Sequence, residues 1–381
     1  MEITGIICEY NPFHLGHRKQ FSIIREKNPD CAIVCLMSGN YVQRGMPAIF
    51  DKEIRARIAI ESGADLVLEL PVTAALSSAE GFAAEGVRIL GGFCDNLSFG
   101  AESADLESIL QTAEALLSHD FSGLLKKHLS EGISFPAARQ KALEEMGCKS
   151  AFVQTPNNIL AVEYTKAILS QKSPMKPQPI FRQGDFHSSV PDRENPSATS
   201  VRFLLEKGLK CNDFVPETAA IHYSTAVIHT LSSAEKAILY RLRTMSDDDF
   251  EQLPYGSEGL WRKLMKNSRQ YAALEEIILH TKSKRYTRTR LDRMIMCAFL
   301  ALTQDDLKSN APYTRVLAFN NTGREILHKA RQNSTFVNLG EKIEHPYQLL
   351  ENRCDDLYGL FADNAAELPG QTSKRRIYYQ K

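Results

Sequence analysis

Four short apolar runs punctuate the first hundred residues, at 3–8, 31–37, 65–70 and 96–99, and helical patterning fills the gaps between them. This alternation constrains the fold more than any other feature of the chain. Strands separated by helices pair mostly in parallel, with the helices laid over both faces of the sheet. The first run leads into a helix expected over about 16–27. Asp51 is placed to cap a second helix that ends near Ser62, and a third covers 79–90. Pro71 stops the third strand, and the fourth enters the turn Gly100-Ala101-Glu102. The expected fold class is α/β with a mostly parallel sheet. Ligands of such sheets bind beyond the carboxyl ends of the strands.

The rest of the chain is more helical. Residues 104–170 pattern as helices and would give a layer or lid; 178–182 suits one more strand. The polar stretch 183–196, with two prolines and Gly184, reads as a loop, and Ser197 opens a helix that runs to about 207. From about 216 helical patterns dominate, at 234–244, 259–271 and 291–302, with strand character again over 310–319. With 381 residues, 43% of them hydrophobic, the chain can bury two cores. The expected division is an α/β domain over 1–215 and a mainly helical, basic domain over 216–381. Residues 1–220 carry 22 Lys and Arg against 27 Asp and Glu, a net of −5; residues 221–381 carry 24 against 19, a net of +5. A neutral total can thus hide a basic surface on the second half, although chance also produces an excess of that size. The closing Lys374-Arg375-Arg376, with the tyrosines after it, reads as a solvated tail or an RNA contact.

No run of about 18 apolar residues is present, and the N-terminus lacks the basic and apolar regions of a signal peptide. The eight cysteines form no CxxC pair, and several sit in apolar runs, so a zinc site is not expected and reduced core thiols are. These features point to the cytoplasm.

The chemistry is concentrated in Glu9-Tyr10-Asn11-Pro12-Phe13-His14-Leu15-Gly16-His17, directly after the first strand and opening the first helix. A helix start offers unpaired backbone N–H groups and a positive dipole end, which suit phosphate. Gly16 lets backbone approach a ligand closely. His14 and His17 lie three apart across the turn and can donate to phosphate oxygens as charge builds. Two histidines bordering a helix by chance is the competing reading, but strand, glycine and helix start agree here. No P-loop motif and no GxGxxG occur. Ser197-Ala198-Thr199-Ser200-Val201-Arg202 adds a helix cap with hydroxyls and a cation in the first turns.

HxGH after a first strand resembles the nucleotidyltransferase superfamily that includes class I aminoacyl-tRNA synthetases. The Ser197–Arg202 segment resembles that superfamily's second motif, which holds the leaving pyrophosphate. Three further segments are similar to those of the tRNA(Met) cytidine acetate ligase family: Ser38-Gly39-Asn40-Tyr41-Val42-Gln43-Arg44-Gly45-Met46-Pro47-Ala48, Gly63-Ala64-Asp65-Leu66-Val67-Leu68-Glu69-Leu70-Pro71, and Pro156-Asn157-Asn158-Ile159-Leu160. The resemblance runs in order over about 1–205. Ala161 stands where the family leads one to expect glycine.

The resemblance implies a Rossmann-like catalytic sheet and an enzyme that joins acetate to the wobble cytidine of elongator tRNA(Met). ATP would be the activating substrate, with Mg2+ accompanying it and no tightly held metal. The ATP site would comprise Ile7, Cys8, Glu9, Tyr10, Asn11, Pro12, Phe13, His14, Leu15, Gly16, His17, Arg18 and Lys19, then Gly100, Asn157 or Asn158, and Arg182, with Ser197, Thr199, Ser200 and Arg202 on pyrophosphate. His14 and His17 would be the catalytic pair. At Gly100 a side chain would block the adenosine; Asn157 or Asn158 can read adenine or ribose, or simply cap a helix; Arg182 can fork onto phosphate or form a surface ion pair. Gln43 and Arg44 follow the second strand and would hold acetate or a tRNA phosphate. Lys52 is read as a solvated lysine. No general base and no acetate pocket can be named.

For RNA the expected contact is the strip from Thr281 to Arg293, with six Lys and Arg against one acid. Lys282, Lys284, Arg285, Arg288, Arg290 and Arg293 supply charge, and Tyr286 a stacking face. A solvated helix entrance is the bland alternative. Two other functions share HxGH: a small-molecule nucleotidyltransferase that adenylates a phosphorylated cofactor precursor, and a non-catalytic nucleotide-sensing or RNA-binding module. The basic second half and the five matching segments favour the ligase; the intact histidine pair argues against the module.

Overall fold

A computed structural model describes residues 1–182, 192–193, 195–283, 285–364, 368–371 and 374–381, with Ser150 and Ala151 in backbone alone. Most of the expected loop at 183–196, and Lys284, lie outside the described residues. The strands are β1 (Ile3–Cys8), β2 (Ala32–Ser38), β3 (Tyr41–Val42), β4 (Met46–Pro47), β5 (Leu66–Leu70), β6 (Asn96–Ala101), β7 (Lys176–Phe181), β8 (Thr314–Asn320), β9 (Phe336–Asn338) and β10 (Tyr378–Gln380). Eight of them form one sheet in the order β10-β8-β5-β2-β1-β6-β7, with β9 beside β8; β3 and β4 form a separate hairpin. β5, β2, β1, β6 and β7 are all parallel, as the alternation of apolar runs and helices requires. The chain steps outward from β1 to β2 and β5, then returns to place β6 on the other side of β1. That reversal opens a crevice at the carboxyl ends of β1 and β6, where open α/β sheets take their ligands.

The helices are α1 (Leu15–Lys27), α2 (Lys52–Glu61), α3 (Val72–Ala75), α4 (Ala79–Leu90), α5 (Leu106–Leu117), α6 (His119–Ser130), α7 (Phe135–Glu145), α8 (Pro156–Ser170), α9 (Ala198–Glu206), α10 (Glu217–Tyr223), α11 (Glu235–Thr244), α12 (Asp247–Glu251), α13 (Leu260–Ser268), α14 (Leu274–Thr281), α15 (Arg288–Leu300), α16 (Gln304–Lys308), α17 (Asn321–Ala330) and α18 (Pro346–Tyr358). Asp51 caps α2 through the Ile54 N–H at 2.8 Å, and Ser78 caps α4 through Gly81. Alternation along each strand sends neighbours to opposite faces. Ile7, Leu36, Leu68 and Phe99 pack on Phe82 of α4, Tyr164 of α8 and Ile326 of α17. Ile6, Cys35 and Val67 pack on Phe21 of α1, Ile58 of α2 and Val201 of α9. Each such buried Leu or Ile contributes about 1.5–3 kcal/mol. A third core joins α11, α13, α14, α15 and α18 to Tyr41 of the β3–β4 hairpin. Ala161, in place of glycine, is fully buried in the first of these cores.

The C-terminal third returns to the sheet. β8 pairs antiparallel with β5, and β9 and β10 run parallel to β8, so three strands from beyond residue 310 extend the sheet begun at residue 3. The last residues are therefore not a solvated tail: Tyr378–Gln380 is an edge strand, Arg375 pairs with Glu53, and Tyr378 donates to Glu61 at 3.1 Å. Lys52 is likewise not solvated. It is fully buried, and its ammonium donates to Glu69 at 2.8 Å and to Asp355 of α18 at 2.8 Å. Arg315 of β8 joins the same group through Asp355 at 3.0 Å and Glu351 at 3.2 Å. Burial alone would lower the Lys52 pKa, but the two carboxylates outweigh it and hold the ammonium above its usual range. Removing one partner of such a buried set costs about 3–5 kcal/mol. No helix among the described residues is long and apolar enough to cross a membrane, and the eight cysteines are free thiols.

Candidate active site

The turn from β1 into α1 is fixed by atoms from four other segments. Arg55, fully buried on α2, donates to the carbonyls of Glu9 at 2.6 Å, Ser38 at 3.1 Å and Phe50 at 2.9 Å, and to that of Gly39. It ties the ends of β1 and β2 together. Glu9 Oε1 accepts the Gln43 N–H at 2.7 Å, Asn11 Oδ1 accepts that of Ile49 at 2.8 Å, and Tyr223 donates to the Phe13 carbonyl at 3.1 Å. Tyr10 takes a positive φ of 45°, which costs a non-glycine residue on the order of 1 kcal/mol or more. Packing holds it there, with Phe13 and His17 both at 4.8 Å between ring centroids.

On this frame His14 caps α1. Its Nδ1 accepts the Gly16 N–H at 3.1 Å, and His17 Nδ1 accepts the His14 N–H at 3.2 Å. The rings stack at 3.7 Å. With each Nδ1 accepting, each neutral ring carries its proton on Nε2, ready to donate. Burial first, then His17, Arg182 and Arg202, push the His14 pKa well below its ordinary 6.5; burial and Arg182 do the same for His17. His14 Nε2 is buried with no partner among the described residues. An orphan donor there is costly unless a ligand oxygen meets it.

A cleft of about 610 Å³ lies over this helix start, a size ordinary for a small-molecule site. Ile7, Cys8, Glu9, Tyr10, Asn11, His17, Gln43, Arg44, Gly100, Asn157, Arg182, Ser197, Thr199, Arg202 and Arg293 all line it. Gly16 and Lys19 line a recess that shares His17, Gly100 and Arg182 with the cleft. Other expected site residues stand back. Pro12, Phe13 and His14 are buried behind the lining, Leu15 is half-buried, and Arg18 is exposed. Ser200 is fully buried, and its hydroxyl donates to the Ser197 carbonyl at 2.9 Å. Asn158 is buried, and its Oδ1 takes the Ser103 N–H at 3.0 Å, so of the two asparagines only Asn157 borders the cleft. Gly100 is small for a neighbouring side chain: a Cβ there would meet Arg182 Cδ at 3.2 Å. Arg202 donates to the Asn11 carbonyl and to Thr199 at 3.3 Å, joining the second motif to the first.

Two features had little or no signal in the sequence. Glu102 accepts from the Asn157 and Asn158 N–H groups at 3.2 and 2.7 Å, from Thr155 at 2.9 Å and from Asn157 Nδ2 at 2.8 Å, an anion set on the positive end of α8. Only the turn Gly100-Ala101-Glu102 in which it stands was legible. The other is Gly45, with φ 78°, where a Cβ would lie 2.3 Å from the Arg293 backbone nitrogen. That close approach seats the β3–β4 hairpin on α15 and brings Thr289 and Arg293 into the cleft wall.

The remaining basic strip is largely committed. Arg285 pairs with Glu258 at 3.0 Å, and Arg288 with Glu275 at 2.6 Å and Asp292 at 2.8 Å. Arg290 donates to the Tyr255 carbonyl at 2.9 Å, and Tyr286 donates to the Glu258 carbonyl at 2.6 Å. Tyr286 is half-buried against the helical core, with the Arg290 guanidinium 5.6 Å from its ring centre. Lys282 is exposed.

The profile of the HIGH Nucleotidyl Transferase family matches residues 1–372. A tRNA(Met) cytidine acetate ligase of Clostridium perfringens (strain ATCC 13124) is 37% identical over 369 residues, 90% of each chain. One from Anoxybacillus flavithermus is 33% identical over 378 residues, 94% of each. The crystal structure of Thermotoga maritima TmcAL (apo, form I) superimposes with a TM-score of 0.90 at 28% identity, covering 100% of this chain and 99% of that one. The form bound with alpha-thio ATP gives 0.87 at 29%, covering both chains fully. Likeness of this degree over nearly the whole length leaves one placement: the chain belongs to the tRNA(Met) cytidine acetate ligase family, within the HIGH nucleotidyl transferases.

Proposed function

We propose that this chain is an ATP-dependent ligase that activates acetate as acetyl-adenylate, releasing pyrophosphate, and then acetylates the N4 amine of the wobble cytidine of elongator tRNA(Met), releasing AMP. The observation that carries this reading is the stacked histidine pair at the sheet's switch point, with an orphaned Nε2 donor on His14. Two neutral imidazoles at a helix start, His17 in the cleft wall and His14 stacked directly behind it, suit the phosphate oxygens that gain charge as acetate attacks the α-phosphorus. Arg182 and Arg202, with Ser197 and Thr199, suit the leaving pyrophosphate. Glu102 holds one N–H of the Asn157 amide and so orients it, leaving its oxygen as an acceptor and a second N–H as a donor for adenine or ribose.

Mg2+ would come with ATP and be held largely by its phosphates. Among the described residues no cluster of three or more His, Cys, Asp or Glu could hold a metal, and Glu9 is the sole carboxylate of the cleft. Gln43 and Arg44 remain candidates for acetate or a tRNA phosphate. We assign ATP chemistry to residues 1–215 and tRNA holding to the helices within 216–381, with Arg293 where the two meet. The work belongs to the cytoplasm, where ATP and tRNA are found.

Purified protein with ATP, acetate and tRNA(Met) should yield N4-acetylcytidine and AMP, read by mass spectrometry of the nucleosides. Product from acetyl-CoA but not from acetate rejects the mechanism. Adenylyl transfer to a small phosphorylated acceptor, with no modified tRNA, would favour the small-molecule nucleotidyltransferase.

A further inference from the structure

Four arginines line the cleft, Arg44, Arg182, Arg202 and Arg293, and among the described residues only one carboxylate does, Glu9. We infer that Glu9 takes the proton that the cytidine amine loses during acetyl transfer, an assignment that rests on the function proposed above.

The position follows from the fold. Glu9 is the first residue beyond β1, on the carboxyl edge of the sheet and beside the histidine turn. One oxygen is anchored: Oε1 accepts the Gln43 N–H at 2.7 Å. Oε2 has no hydrogen-bond partner among the described residues. The other polar groups of the lining cannot serve. Arginines have no lone pair to accept with, and amide and hydroxyl side chains are too weakly basic. The Nδ1 of His17 already holds the His14 N–H, and its other ring nitrogen carries the proton. The Cys8 thiol donates to the Leu36 carbonyl, and burial holds it protonated. Tyr164 stands across from Glu9 on α8. Burial, then the charges of Glu9 and Cys8, push its phenol above the usual range, so it stays protonated and is no base.

The chemistry needs such a group. The N4 lone pair of cytidine is drawn into the ring, so the amine is a weak nucleophile. As it attacks the acetyl carbonyl carbon, the new C–N bond forms and the C–O bond to the AMP phosphate breaks. AMP leaves with that electron pair. N4 then carries one proton too many, which passes to Glu9 Oε2 and on to water. A positioned general base contributes about 10²–10⁴-fold to such a step.

Glu9→Gln tests this, because glutamine keeps volume and an oxygen for the Gln43 N–H but cannot accept a proton. Two half-reactions are measured: acetate-dependent ATP–pyrophosphate exchange, and single-turnover transfer of labelled acetyl from the enzyme-bound adenylate to tRNA(Met). Transfer should fall about 10²–10³-fold, at least about tenfold more than exchange, and Glu9→Asp should recover part of the loss. Equal loss in both halves overturns the assignment and makes Glu9 a brace for the Gln43 loop. Recovery of Glu9→Gln by added Mg2+ overturns it in favour of a metal ligand. If the wild type makes adenylate but no acetylcytidine, the proposed function falls and this assignment with it. If the wild type acetylates tRNA and Glu9→Gln does so equally fast, the assignment falls alone.

Discussion

Two sets of arginines in this molecule differ in what surrounds them. Arg285, Arg288 and Arg290 stand in the most basic stretch of the sequence, yet Glu258, Glu275 and Asp292 pair with all three, and Arg290 also donates to the Tyr255 carbonyl. Arg44, Arg182, Arg202 and Arg293 are scattered over 250 positions of sequence and converge on a cleft that, among the described residues, one carboxylate lines. A run of cations along a chain is therefore a poor guide to positive potential, since acids brought in by the fold neutralise it. Exposed ion pairs of the first kind add little, being solvated and screened by salt. Four cations gathered around few acids hold more of their field for a polyanion.

The contrast can be broken in several ways. The largest effect is expected at the histidines around which the arginines gather. His14→Ala or His17→Ala should lower acetate-dependent pyrophosphate exchange about 10²–10³-fold, the usual cost of one preorganised donor, and much more than it lowers tRNA affinity in a filter-binding titration. Equal losses would mean that the pair serves folding. Next, Arg293→Ala should weaken tRNA(Met) binding about tenfold, as expected for one lost charge-assisted contact, and Arg285→Ala by less than about threefold. The reverse order would refute the distinction drawn between the two sets. Neutralising Arg285, Arg288 and Arg290 together should weaken tRNA binding and flatten its dependence on log salt concentration. The slope should change by about one unit rather than the three that three direct phosphate contacts predict.

The smallest effect concerns pH. The folded-state pKa of both histidines lies well below 6.5, so the neutral donors persist in mildly acid solution. The kcat/KM for ATP in the exchange assay should stay level between pH 7.5 and 6, and an acid limb near 6.5 would show that at least one ring titrates normally. The stability sign is fixed by the same shift. Below 6.5 the unfolded chain takes up the protons that the native rings refuse, so native stability falls with falling pH, by up to about 1.4 kcal/mol per unit for each histidine.

Much of the sheet was legible because its information is local. Ile3 to Cys8 alternates its side chains between two cores, and Asp51 and Ser197 announce their helices by capping chemistry. The histidine turn was legible for the same reason, with strand, turn and helix start contained in 25 residues. What escaped notice depends on partners far away in sequence. Lys52 looks like a surface lysine until Asp355, 303 positions later, is set beside it. Arg55 carries no motif, because its partners are backbone carbonyls. Nothing in residues 314–320 says that they will lie antiparallel to β5, and nothing in the 281–293 strip reveals Glu258 or Glu275. Asn157 and Asn158 are chemically identical, and only their side-chain partners tell them apart, Glu102 for the first and Ser103 for the second.

The salt bridge between Lys52 and Asp355 bears on how the protein can be cut. A fragment stopped near residue 215 would keep the histidines and three of the four cleft arginines, yet it would strand a dehydrated ammonium with Glu69 as its lone counter-charge and strip the cover from the flank of β5. An open hydrophobic strand edge of that kind invites intermolecular pairing. Expressed by itself, such a piece should collect in inclusion bodies, and crystallographers seeking a minimal ATP-binding unit would do better to trim loops than to remove the tail.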